Sequence, residues 1–189
     1  MAWIYSMIRQ GTALAVLWYV LRRRSKSFGN IGLRWNLKEV GFGLGLFVLA
    51  WIVAACSYSV VRLVVDPAVL ARQPDVDRML FGGHVASTAI VFAFLNPFFE
   101  ELIVRAYVIS EIKALTNRIS VAVAVSVVLQ TSYHFYQGAP AALMHSGTFL
   151  IFALYYAKTN RIGAPIVAHL LLDVWPIVSY MARLHQRSF

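Results

Sequence analysis

Read from the amino terminus, the chain alternates long apolar runs with short polar breaks. Residues 2–21 are apolar apart from Arg9, Gln10 and a few small polar residues. Residues 40–65, about 84–110, about 119–136, about 141–157 and about 162–182 form five further runs of the same kind. Each is close to the ~20 residues a helix needs to cross the hydrocarbon core of a bilayer. The pattern predicts an all-α fold, a polytopic transmembrane helical bundle of about six spans, built as one integral membrane domain over residues 1–189. Arg9 leaves an alternative for the first run, an interfacial helix over 2–9 followed by a short insertion.

The breaks carry the orientation. Residues 22–38 hold Arg22, Arg23, Arg24, Lys26, Arg34 and Lys38 with no acid, and residues 158–161 form a second, short basic loop. Both read as cytoplasmic, because positive charge is retained on that side. Residues 66–83 carry Asp66, Asp75 and Asp77 against Arg72 and Arg78, and read as an external loop. Residues 137–140, Gln-Gly-Ala-Pro, read as a tight turn. Six spans then place both termini outside. Gly41, Gly43 and Gly45 open one side of the second span to close helix approach.

Composition narrows the class. Of the 189 residues, 60% are hydrophobic and only 13% charged, and the mean hydropathy is +0.68. A soluble domain carries about 45–50% apolar and about 25% charged residues, so a disordered chain, a linker and an ordinary soluble enzyme are excluded. The net charge of +9 follows from the basic connections and needs no nucleic-acid partner. The location expected is the inner membrane of a bacterial cell. No small-residue cleavage site follows a basic start, so the first run is read as retained. The lone Cys56 sits in an apolar run, excludes an intrachain disulfide and reads as a buried structural thiol.

Against that apolar background a few residues stand out. Glu100, Glu101 and Asp173 are three of the eight acids and lie inside apolar runs, as do His134 and His169. An ionised group at the bilayer centre costs at least ~2.5–3.5 kcal/mol, so it must pair or face a polar cavity, and by default it marks function. Glu101 and Arg105, four apart, share a helix face and can pair. Glu100 points about 100° away from Glu101 on an α-helix and lacks that partner. His169 and Asp173 are again four apart and project from one face. Asn96-Pro97 interrupts the third run just before Glu100, freeing backbone groups that are tolerated where they line a cavity. Such a set can deprotonate water and stabilise an oxyanion. The same residues could instead ligate a metal such as zinc.

The motifs resemble a known family. Glu100-Glu101-Leu-Ile-Val-Arg105 matches the Glu-Glu-x-x-x-Arg motif of the CPBP intramembrane proteases, the CAAX-protease and bacteriocin-processing family also called ABI. His134 matches the His of a second motif, Phe-x-x-x-His, with Gln130 in place of the Phe, and His169-Leu-Leu-Leu-Asp173 matches His-x-x-x-Asn/Asp. The resemblance covers residues 84–182, the expected catalytic core. It implies an intramembrane endopeptidase acting on a membrane-associated, prenylated or sorted protein or peptide. Glu100 would activate water, His134 would assist proton transfer, and His169 and Asp173 would bind the oxyanion or orient the carbonyl. Glu101 and Arg105 would be structural support, and Gln130 is read as a packing position. The mechanism implied is glutamate-dependent with no cofactor, zinc being the alternative. A second reading keeps the bundle as a non-proteolytic membrane regulator or bacteriocin-immunity protein. Gly-x-Ser-Gly, His-Glu-x-x-His and Gly-x-Gly-Asp are absent, which argues against rhomboid, site-2 zinc and presenilin types. His84 and His145 match no motif and read as a span-end residue and a packed or lumenal histidine.

Overall fold

A computed structural model describes residues 2–82 and 85–186. His84, noted above for a span end, lies outside the described residues. Among the described residues every regular element is helical. In chain order these are α1 (Ala2–Arg23), α2 (Leu37–Val64), α3 (Pro67–Ala71), α4 (Val76–Phe81) and α5 (Ser87–Phe99). A π-helical stretch (Glu100–Tyr107) joins α5 to α6 (Val108–Thr116), and α7 (Ile119–Tyr133), α8 (Ala139–Thr159) and α9 (Gly163–Gln186) follow. The protein is thus the all-α polytopic bundle its hydropathy predicts, with six long helical units. Leu37–Val64, Ser87–Thr116 and Gly163–Gln186 are each long and apolar enough to cross a membrane, and Ile119–Tyr133 is a shorter apolar helix.

Three expectations need correction. The external stretch 66–83 is not a plain loop. Asp66 accepts the Ala68 N–H at 2.7 Å and Asp75 accepts the Arg78 N–H at 3.0 Å, so two of its acids serve as N-caps of α3 and α4. The third run is not broken at Asn96-Pro97. The helix continues and absorbs the missing proline N–H by widening into the π-helical stretch. Cys56 is exposed on α2, facing outward rather than into the core.

The exposed surface is apolar, with Leu63 85% and Val128 67% exposed, as expected where lipid replaces water. Helices pair as α1 with α5, α2 with α8 and α9, α5 with α9, α6 with α7, and α7 with α8. Of the three glycines opening α2, only Gly43 makes a close approach, and a Cβ there would sit 2.6 Å from Val167. The start of α9 is recessed, with Gly163, Ala164, Pro165 and Ile166 all buried. Glu39 of α2, fully buried, holds it there by accepting the Ala164 N–H at 3.0 Å and the Arg161 Nε–H at 2.6 Å. This carboxylate sits where an N-terminal helix dipole favours it.

The largest apolar cluster includes Leu17, Leu21, Ile109, Val123, Tyr156, Ile162 and Ile166. These residues flank the connections from α1 to α2, α6 to α7 and α8 to α9, which lie on one side of the bundle. The bundle is therefore densely closed on that side. Its polar residues collect above this cluster.

Candidate active site

The turn between α6 and α7 sets the level of the site. Asn117 ends α6 with φ +54°, a left-handed residue that stops the helix and reverses the chain. Glu100 precedes Asn117 by 17 residues (117 − 100), and His134 follows it by 17 (134 − 117). On two antiparallel helices rising ~1.5 Å per residue, equal counts mean equal height. His134 lies within electrostatic reach of both Glu100 and His169. The recessed start of α9 brings His169 to the same level, although it is only six residues past Gly163 (169 − 163).

The π-helical stretch aims the two glutamates. Bonds from i to i+5 turn each residue through less than the α-helical 100°, so neighbours diverge less. Glu100 and Glu101 accordingly both reach His169, rather than facing apart. The His169 Nδ1 lies 2.9 Å from Glu101 Oε1, and its Nε2 lies 3.8 Å from Glu100 Oε2. Asp173 Oδ1 stands 3.6 Å from the same Nε2. Nδ1 is committed to Glu101, and Nε2 faces the space between Glu100 and Asp173.

Glu101 and Arg105 are both fully buried and paired through two hydrogen bonds, one from Nε and one from an Nη at 3.0 Å. Arg105 also donates to the Phe149 carbonyl at 2.9 Å and lies 5.5 Å above the Phe152 ring. A last N–H reaches Gln130 Oε1 at 2.6 Å. Gln130 in turn donates from Nε2 to Glu100 Oε2 at 2.9 Å. Gln130 is therefore not the packing position its replacement of a Phe suggested. It is a fully buried polar link between the ion pair and Glu100, which has a partner after all.

The Nδ1 of His134 lies 2.8 Å from the Gln130 backbone carbonyl. A carbonyl only accepts, so Nδ1 carries the hydrogen and the neutral ring leaves Nε2 as an acceptor. The His134 ring also packs at 4.8 Å from that of Phe149 and 6.1 Å from that of His145. His145, which matches no motif, is thus a neighbour of the cluster. On the far side, Asn96 donates to Asp173 Oδ2 at 3.0 Å and accepts from Gln10 Nε2 of α1 at 2.6 Å. Asn96, noted only for interrupting a helix, is part of the network, and Gln10 brings the first helix into it.

Among the described residues, no group of three or more His, Cys, Asp or Glu side chains is arranged to hold a metal ion. Both Glu101 oxygens and the His169 Nδ1 are taken by hydrogen bonds within the protein. No step below runs through a metal.

A helical bundle that folds two adjacent glutamates, an aspartate and two histidines into its apolar interior is an integral membrane protein with a polar site at membrane depth. Residues 82–175, which hold all three motifs, match the family model described as type II CAAX prenyl endopeptidase Rce1-like. The chain belongs to the CAAX-protease (CPBP) family, and its activity is of the intramembrane protease type. The family points to a membrane-protein substrate. No curated protein and no solved structure matches the chain.

Proposed function

We propose that the protein is a glutamate-dependent intramembrane endopeptidase in which Glu100 activates the attacking water. The observation that carries this is the placement of Glu100. Glu100 is 5% exposed, its carboxylate accepts from Gln130 Nε2 and from the Tyr133 hydroxyl, and it is level with both histidines. Glu101 cannot take the role as readily, because Arg105 and His169 occupy both of its oxygens.

The residues divide the work as follows. Glu100 takes a proton from water as the water oxygen bonds to the scissile carbonyl carbon. The Nε2 of His134 accepts a hydrogen bond from that water and passes the proton on when needed. The carbonyl π pair moves onto oxygen, where His169, protonated on both nitrogens, donates from Nε2. An ionised Asp173 has no hydrogen to give an oxyanion, so it serves by orienting His169 and by accepting from Asn96. Collapse breaks the C–N bond, and Glu100 returns its proton to the leaving nitrogen. The products are a carboxylic acid and an amine. Glu101 and Arg105 hold the helix and the His169 ring in place. The substrate proposed is a membrane-associated or prenylated protein or peptide, and the membrane proposed is the inner membrane of a bacterial cell.

The test compares membrane-protein termini in host cells carrying the wild type or Glu100→Gln at matched expression. New termini are expected only with the wild type. Identical termini, with both forms rescuing a deletion equally, would falsify the protease mechanism and leave a binding regulator or immunity protein.

A further inference from the structure

We infer that Gln130 is a positioning residue, which uses the fixed guanidinium of Arg105 to hold the Glu100 carboxylate in one orientation for the water. The inference rests on the reading of Glu100 given above.

The chemistry of the three groups dictates the direction of the link. Amide oxygen and nitrogen are nearly alike in shape, so a glutamine can usually be turned either way. Here it cannot. Arg105 has donors and no acceptor, so the side facing it must be the amide oxygen. The side facing Glu100 is then the NH2, as the contacts of 2.6 and 2.9 Å record. An ionised Glu100 accepts that hydrogen, and the arrangement satisfies all three groups at once. Because Arg105 is itself held by Glu101, the Phe149 carbonyl and the Phe152 ring, it cannot swing away. The order built into the ion pair is passed to Glu100 through one side chain, fully buried on α7.

The consequence is geometric. Glu100 Oε2 is engaged by Gln130, and the Tyr133 hydroxyl is a second hydrogen-bond donor to the same carboxylate, so Gln130 fixes one of its two holds. A carboxylate on a flexible side chain, without such a hold, would sample rotamers that point its oxygens away from the carbonyl. A misplacement of ~1 Å at a reacting group costs about 10²-fold in rate. A Phe at this position, as in the motif this chain otherwise matches, supplies neither hydrogen bond. The chain thus holds the carboxylate by a hydrogen bond where the motif offers only packing.

Three variants separate positioning from mere support. Gln130→Glu keeps the acceptor for Arg105 and loses the donor to Glu100. Gln130→Phe restores the motif and loses both contacts. Gln130→Met keeps the length without either. Each is measured in detergent or vesicles for thermal unfolding and for kcat and KM on a membrane-tethered reporter peptide that the wild type cleaves. Each is also measured by infrared difference spectroscopy against its own Glu100→Gln partner, which isolates the carboxylate stretch of Glu100.

The expected result is a fall in kcat of about 10²-fold in all three. KM should stay within about threefold, because the substrate contacts are untouched. The Glu100 carboxylate band should move in each variant, including any whose unfolding temperature matches the wild type. A residue that only supports the fold would lower kcat in step with the unfolding temperature and leave the band where it was. That pattern, or a Gln130→Phe or Gln130→Glu enzyme with wild-type kcat, overturns the inference. If the wild type cleaves nothing, the protease mechanism falls, but the infrared band still decides whether Gln130 holds Glu100.

Discussion

Arg105 is the residue on which the others depend. It is fully buried and touches Glu101, Gln130, the Phe149 carbonyl and the Phe152 ring. Arg105→Met would leave the Glu101 charge buried and uncompensated, and the expected loss of stability is about 3–5 kcal/mol. Glu101→Gln together with Arg105→Met should cost less than Arg105→Met alone, because no charge is stranded. Chemical unfolding of both variants in micelles measures the difference, and equal losses would contradict the pairing. This pair was legible in the sequence, since residues four apart on a helix meet. Gln130 was not, because a single amide in an apolar run gives no sign of its partners. One signal was present: Asn117 lies 12 residues after Arg105 (117 − 105) and 13 before Gln130 (130 − 117), so a hairpin there puts the two side by side. The orientation of Glu100 differs from the sequence expectation for another reason. The spacing of about 100° holds for an α-helix, and the local winding is π-helical.

Among the elements, α2 and α9 show how the site is held from below. Their contact runs through Gly43, against Val167, and through the buried Glu39 at the recessed start of α9. A methyl at position 43 would sit at 2.6 Å from the Val167 Cβ, whereas one at Gly41 or Gly45 would meet nothing within 4 Å. Gly43→Ala should therefore destabilise by about 1–3 kcal/mol, the usual cost of overpacking. Gly45→Ala should be neutral or slightly stabilising, since alanine suits a helix better than glycine. Thermal unfolding of the two variants side by side tests this, and equal behaviour would show that α2 does not pack through Gly43. The three glycines read alike in the sequence because they fall within two turns of one helix. Only the partner helix distinguishes them. The number and order of the long helices could be read because lipid demands unbroken apolar runs. The short helices α3 and α4 could not, as neither is long enough for its periodicity to show.

At the scale of the whole molecule, the apolar exterior and the dense cluster beside the basic connections leave the polar site nearer the opposite end of the bundle. The helix that delivers His134 ends there. With 15 residues at ~1.5 Å each, α7 is about 22 Å long, against about 30 Å of hydrocarbon in an ordinary bilayer. Its outer face of Ala124, Val125, Val128 and Leu129 is apolar, and beyond Ser132 the exposed surface passes to the aromatic rings of Tyr133, Phe135 and Tyr136. Local thinning of the bilayer is one way a short span is met, and beside this helix it would bring headgroups and water closer to the level of Glu100. A short helix of this kind would ease the arrival of water at a site surrounded by hydrocarbon. Cleavage of a tethered reporter should therefore quicken in vesicles of short-chain lipids and slow in long-chain ones. A rate indifferent to acyl-chain length would show that water reaches the site by a path the bilayer does not control.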